Sequence, residues 1–307
     1  MNLLGIEIGG TKLQLVVGDP SAQIRERRRL TVDATRGAAG IREQIANTLP
    51  ELLGQHNISA VGVGFGGPVD WRAGLIARSH QIEGWSGFEL AAWLRGLAGV
   101  PVFVDNDANV AALGEATRGA GIGFSPAFYV TLGSGIGGGL VVDGEIHHGA
   151  IPGEAEIGHI RLDRAGTTLE SRCSGWAVDA KIRDLVKSQP DGLLARLVGN
   201  SARGEAKHLA PALHQGDEDA RRILATTAED LAFGLSHVVH LFHPQVIVLG
   251  GGLALVGEPL RAAVEMALRD FIMEVFAPGP ALRLSALGED AVPVGALRLA
   301  ASARCAE

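Results

Sequence analysis

Leu3-Leu4-Gly5-Ile6-Glu7-Ile8 runs into Gly9-Gly10-Thr11-Lys12, and Leu13-Gln14-Leu15-Val16-Val17 follows. An apolar run, a glycine turn and a second apolar run ending at Gly18-Asp19-Pro20 read as a β-hairpin. The arrangement returns in mid-chain. Ala127 to Leu132 leads into Gly133-Ser134-Gly135-Ile136-Gly137-Gly138-Gly139, then Leu140 to Val142, then a hairpin turn at Asp143-Gly144. Each half therefore opens with a strand, a glycine-rich turn and a returning strand, which predicts a structural repeat.

Outward from the first hairpin, Ile24 to Val32 reads as a third strand. Ile41, Ile45, Leu49, Leu52 and Leu53 fall at helical spacing and predict a helix over 41–53. Ala60 to Phe65 is a buried strand that ends at Gly66-Gly67-Pro68. Phe88 to Leu97 reads as a helix, Val102 to Val104 as a strand and Ala108 to Arg118 as a helix. The order β-β-β-α-β-α-β-α implies an α/β fold whose mixed sheet is covered by helices. The second half is mostly helical, over 175–187, 192–197, 217–242 and 259–271. One strand, Val246 to Leu249, ends at Gly250-Gly251-Gly252, and Val294 to Ala301 reads as a closing helix.

With 307 residues the chain suits two domains of about 150 each. Aromatics are only 5%, so the core must be chiefly aliphatic. A net charge of −7 argues against a nucleic-acid or anionic-membrane partner, either of which wants a basic face. The basic run Arg25-Glu26-Arg27-Arg28-Arg29 reads as a solvated strand edge. Two cysteines, Cys173 and Cys305, make neither a disulfide framework nor a four-cysteine metal site, and are expected as free thiols. No charged leader opens the sequence and no run approaches the roughly 18 apolar residues of a membrane span. A soluble cytoplasmic protein is expected.

Three glycine turns, at Gly9-Gly10-Thr11-Lys12, Gly133-Ser134-Gly135 and Gly250-Gly251-Gly252, each follow an apolar run. Any one of them alone is a tight turn. Together they suit backbone N–H groups gathered around a nucleotide's phosphates, although none has P-loop or dinucleotide spacing. Asp105-Asn106-Asp107-Ala108-Asn109 lies between a buried strand and a helix. One of these residues serves as helix cap. A carboxylate there can also accept the proton of a substrate hydroxyl, which is most of what phosphoryl transfer asks of a side chain. In Gly153-Glu154-Ala155-Glu156-Ile157-Gly158-His159, polar side chains three apart suit a pair of sugar hydroxyls. For His159 a packed core histidine and a zinc ligand are the rival readings. Only Cys173 stands nearby to share a metal, which discounts zinc.

In order along the chain stand Ile6-Glu7-Ile8-Gly9-Gly10-Thr11-Lys12, Gly64-Phe65-Gly66-Gly67-Pro68-Val69, and Val104-Asp105-Asn106-Asp107-Ala108-Asn109-Val110-Ala111-Ala112-Leu113-Gly114-Glu115. Gly133-Ser134-Gly135-Ile136-Gly137-Gly138-Gly139 and Glu156-Ile157-Gly158-His159 follow. This set resembles the ROK family (repressors, open reading frames, kinases), notably its bacterial glucokinases, from Leu4 to about Ala300. The resemblance implies a two-lobed actin-like ATPase (ribonuclease-H-like) fold with a cleft between the lobes. It implies lobes of 1–107 plus 292–307 for sugar and phosphate, and 108–291 for nucleotide and dimerisation. It implies ATP-dependent phosphorylation of a hexose at the 6-hydroxyl, glucose first, with fructose, mannose and N-acetylhexosamines as rivals. Asp107 resembles the family's base. Asn106, Gly67, Glu156, His159 and Glu170 resemble its sugar contacts. Gly9, Gly10, Thr11 and Lys12 match the first phosphate loop, Gly133, Ser134 and Gly135 the second, and Gly251 and Gly252 the adenosine loop. Magnesium, ATP and a homodimer are implied.

The chain departs from the family pattern in several places. Leu169-Glu170 and Ser174-Gly175 resemble the segment beyond the family's three-cysteine zinc loop, which is missing here. No structural zinc is expected, and His159 is expected to be held by protein hydrogen bonds. Glu7 replaces the usual aspartate that supports magnesium, often through water. His80-Gln81 and His243-Pro244 are further departures. Two other classes compete. A sugar-sensing repressor needs a DNA-binding module, for which the eight residues before Gly9 give no room. A sugar binder that has lost catalysis is suggested by Glu7 and the missing loop, and opposed by Asp107 with both phosphate loops.

Overall fold

The computed structural model describes residues 1–302 apart from 80, 81, 152, 154, 200, 202 and 203. The expectations on His80-Gln81, Glu154 and Cys305 thus lie outside the described residues. The chain divides into two compact units. One is Met1–Gly123 with Gly139–Ala155 and the residues from Leu287 on, and the other is Phe124–Gly138 with Glu156–Ala286.

The first unit begins with β1 (Asn2–Ile8), β2 (Lys12–Gly18), β3 (Ile24–Thr31), α1 (Gly37–Gln55) and β4 (Ile58–Phe65). Then come the short pair β5 (Val69–Asp70) and β6 (Leu75–Ile76), α2 (Leu90–Ala98), β7 (Val102–Asn106) and α3 (Asp107–Arg118). The strands lie in the order β3-β2-β1-β4-β7. β1 and β2 form the predicted hairpin, with Ile8 opposite Leu13, while β1–β4 and β4–β7 are parallel. Consecutive residues of β1, Leu3 to Ile6, are all buried, as in a sheet covered on both faces. Ile41, Ile45 and Leu49 of α1 and Leu90 and Leu94 of α2 pack on one face. β3 is the edge, and its arginines are paired: Arg25 with Asp19, Arg27 with Asp290, Arg28 with Glu51. Charge on an edge strand blocks further pairing.

The second unit carries β8 (Ala127–Leu132) and the start of β9 (Ile136–Val142), with β10 (Glu145–Ile146) pairing at the far end of β9. Helices α4 (Leu169–Cys173), α5 (Gly175–Ser188), α6 (Leu193–Val198), α7 (Leu209–His214) and α8 (Glu218–Phe242) follow, then β11 (Val246–Gly250), α9 (Glu258–Leu268) and β12 (Ala281–Leu284). This sheet runs β10-β9-β8-β11-β12, and the unit boundary falls inside β9. Counted in chain order, its strands have the same sequence of neighbours as the first sheet, so the repeat read from the two glycine hairpins is a repeat of topology. The strand β12 and the pair β5–β6 were not anticipated.

The described residues end with α10 (Ala291–Ser302), which returns to the first unit. Val294, Leu297 and Ala300 join Leu3, Val16 and Ala60 in a core on the face opposite α1. Backbones meet there. A Cβ on Gly62 would overlap the Ala296 carbonyl oxygen, and one on Gly295 would overlap that of Val110. Glycine at such a contact lets two elements close without a side chain between them. Because α3 is locked to α10 in this way, it belongs with the first unit, and the division falls after Gly123 rather than at the start of α3.

Candidate active site

In the first unit the turn after β1 is closed by the Gly9 N–H, which donates to the Lys12 carbonyl at 2.8 Å. Gly10 and Lys12 are half-buried and Thr11 is exposed. Lys12 Nζ lies 3.4 Å from a carboxylate oxygen of Glu289. Glu7, the last polar residue of β1, stands opposite Gln14, whose Nε2 donates to Glu7 Oε2 at 2.7 Å. The fully buried Gln14 in turn accepts from Arg27 and Arg29 through Oε1, at 3.1 and 3.2 Å. Burial raises the pKa of Glu7, opposed by the charge of Lys12 and the bond from Gln14. A desolvated carboxylate with one oxygen committed and its pKa still high suits a nearby cation. One carboxylate is enough for a magnesium ion that keeps most of its waters. This is the cation that the resemblance implied for Glu7.

Asp107 is the first residue of α3 and is partly exposed. Its Oδ2 is 3.3 Å from where a Cβ on Gly66 would stand, so the bare glycine leaves the carboxylate its space. Asn106 is the helix cap. Its Oδ1 accepts from the N–H groups of Ala108 and Asn109 at 2.9 and 3.3 Å. Its Nδ2 donates to the Gly67 carbonyl at 3.2 Å, which leaves one amide hydrogen for another acceptor. Gly67 has φ +153°, and a Cβ there would stand 2.9 Å from the Arg78 carbonyl oxygen. Asp105 is buried, and its Oδ1 accepts from the Asn106 N–H at 2.8 Å and Asn109 Nδ2 at 3.0 Å. Its Oδ2 is 2.6 Å from His148 Nε2. Sequence reasoning quoted Asp105 and Gly66 without assigning them a role and missed His148. A histidine in a loop just past a two-residue strand carries no periodic signal.

In the second unit Gly133 N–H donates to the Gly135 carbonyl at 2.9 Å, and Ser134 at the loop's tip is exposed. The loop is braced from three sides. Glu170 Oε2 accepts from the Ile136 N–H at 2.8 Å, and a Cβ on Gly135 would stand only 2.5 Å from that oxygen. The Gly175 N–H donates to the Gly133 carbonyl at 2.7 Å. A Cβ on Gly158 would overlap the Ile136 carbonyl oxygen. Glu170 thus has one oxygen committed to backbone. Glu156 and His159 flank Gly158 in a turn of 3-10 helix, Ile157–His159, with side chains 46% and 68% exposed. The two side chains stand 3.9 Å apart, and no hydrogen bond holds the His159 ring among the described residues, contrary to the expectation that protein groups would fix it. Gly251, with φ +80°, lies against Leu132 backbone, while Gly252 faces open space.

The model of the ROK family matches residues 3–303. The chain is similar to a glucokinase of Thermotoga maritima, 30% identical over 304 residues that cover 96% of each chain. Among solved structures it is similar to a ROK family glucokinase from Streptomyces griseus in complex with glucose and AMPPNP, with TM-score 0.85 and 30% identity over 98% of this chain and 99% of that one. It is also similar to a ROK hexokinase from Thermus thermophilus, with TM-score 0.82 and 29% identity over the whole of both chains. The architecture is the two-lobed actin-like ATPase fold. The repeated sheet, the capped Asp105-Asn106-Asp107 turn, the braced glycine loops and these likenesses lead to one classification: the chain belongs to the ROK family.

Proposed function

We propose that this chain is an ATP-dependent hexose kinase that phosphorylates the 6-hydroxyl of glucose, with Asp107 as general base. The observation that carries the reading is the Asp107 carboxylate at the first turn of α3, above a glycine and beside the Asn106 link to Gly67. In the reaction Asp107 takes the proton of the sugar hydroxyl while the oxygen bonds to the γ-phosphorus. The bond from phosphorus to the β–γ bridging oxygen breaks, and ADP leaves. Bound magnesium would neutralise charge on the phosphate oxygens. Glu156, His159 and Glu170 are assigned to the ring hydroxyls, the loops at Gly9–Lys12 and Gly133–Gly135 to the phosphates, and Gly251–Gly252 to the adenosine. The glucose complex of the Streptomyces griseus relative supports glucose as acceptor.

ADP release with Mg-ATP against glucose, fructose, mannose, N-acetylglucosamine and N-acetylmannosamine tests the reading. Glucose should give the highest kcat/KM. D107N should lose about 10²- to 10⁴-fold in kcat and still bind sugar. Full activity in D107N would remove the base, and silence with every sugar would favour a binder.

A homodimer is part of the same reading. Leu241, Met273 and Val275 are 75%, 58% and 76% exposed on the second unit, and the Met273 N–H donates to the His240 ring at the end of α8. Light scattering should give twice the 31.9 kDa chain mass.

A further inference from the structure

We infer that His148 is a positioning residue for the base: it holds Asp105, and Asp105 holds the strand-to-helix turn on which Asp107 stands. The inference rests on the reading of Asp107 as base. Asp105 ends a strand and spans the junction. One of its oxygens binds both the Asn106 N–H, on the strand side of Asp107, and Asn109 Nδ2, on the helix side. Its side chain is only 3% exposed, so water cannot satisfy the other oxygen, and His148 Nε2 at 2.6 Å does. With the Nε2–H tautomer the ring donates and the carboxylate oxygen accepts.

The imidazole has little freedom. Trp71, in the turn between β5 and β6, stacks on it with centroids 4.1 Å apart and planes at 15°. Gly153 lies against it, where a Cβ would come within 3.1 Å of His148 Cβ and 3.4 Å of Cδ2. The ring is therefore a fixed donor aimed at one carboxylate oxygen. Without it, Asp105 must turn toward another donor, and that change loosens its hold on Asn106 and Asn109. Asp107 lies between those two residues. A base displaced by about 1 Å costs on the order of 10²-fold in rate. Trp71 follows the Gly66-Gly67-Pro68 loop, and Asn106 Nδ2 is bonded to Gly67, so the sugar loop and the base are braced by one set of contacts.

The test compares wild type, D107N, H148A, H148L and H148Q in kcat, sugar KM, calorimetric sugar binding and Tm. A glutamine amide nitrogen reaches the place of Nε2 and donates, whereas leucine fills the slot under Trp71 without donating. H148A and H148L should lose about 10²-fold in kcat with sugar KM within about threefold, and H148Q should recover most of the loss. A purely packing histidine would instead let leucine substitute as well as glutamine. Unchanged kcat in H148A, or equal loss in H148Q and H148L, overturns the inference. Should H148A unfold, the leucine–glutamine comparison decides alone. If D107N keeps its turnover, the base reading falls and this inference with it. If D107N loses turnover while H148L keeps it, only this inference falls.

Discussion

Glu7 is the residue at which stability and activity are expected to oppose each other. Burial raises its pKa above the ordinary 4.5, so the folded chain binds the proton more tightly than the unfolded one. That contribution to stability is full below about 4.5 and is lost as pH rises through the raised value. Glu7→Gln does not titrate, and its amide oxygen can still accept from Gln14. Its stability relative to wild type should therefore grow as pH rises across that window, in thermal denaturation at several pH values. Its activity should fall by about 10- to 100-fold if Glu7 holds magnesium through water, recoverable in part by raising magnesium. Cys173 is buried, and desolvation, chiefly, pushes its thiol up to about 12. In a C305S background it should resist thiol labelling at pH 8 until the chain is unfolded. At this scale the sequence named Asp107, the glycine loops and Glu170 through a resemblance. Its silence on His148 has a physical cause: the partner, Asp105, is 43 residues away.

At the scale of the element, Glu170 separates two roles that one side chain combines. Its place in the sugar set came from the resemblance, whereas its bond to the Ile136 N–H ties α4 to the glycine loop at 133–135, proposed above to hold phosphate. Glu170→Ala should raise KM for ATP about tenfold, since a charged hydrogen bond of about 1.5–3 kcal/mol that braces this glycine loop is lost. Glu170→Gln can still accept the N–H and should keep the ATP KM near wild type while raising that for sugar. Steady-state kinetics in both substrates distinguishes the two. Periodicity placed the long elements well: the helix read over 41–53 is α1, and that over 217–242 is α8. It could not place β5 and β6, two residues each, or β12, where Leu282 alone is buried. Alternation needs more residues than these provide.

Across the whole molecule, the repeated opening hairpin of each half was legible because each is announced by a glycine turn between apolar runs, whereas the shared order of neighbours in the two sheets came only with the structure. The boundary between units was not, because it depends on which unit α3 packs with, and glycine contacts decide that. Gly295→Ala tests them. A methyl group against the Val110 carbonyl must push α10 off α3 and should destabilise the protein by about 1–3 kcal/mol or more, read as a lower denaturant midpoint with little change in slope.

The return of α10 to the first unit also sets an order of events during translation. The strands over residues 1–123 leave the ribosome well before residues 291–302 exist to cover them. In that interval Leu3, Val16 and Ala60 lack Val294, Leu297 and Ala300, their apolar neighbours from α10. The part of the protein made first is thus completed late, after the intervening unit has had time to fold. Ribosome-bound chains stalled before Ala291 should be cut readily within residues 1–123 by a protease that spares the released protein, and chaperones should be drawn to that segment.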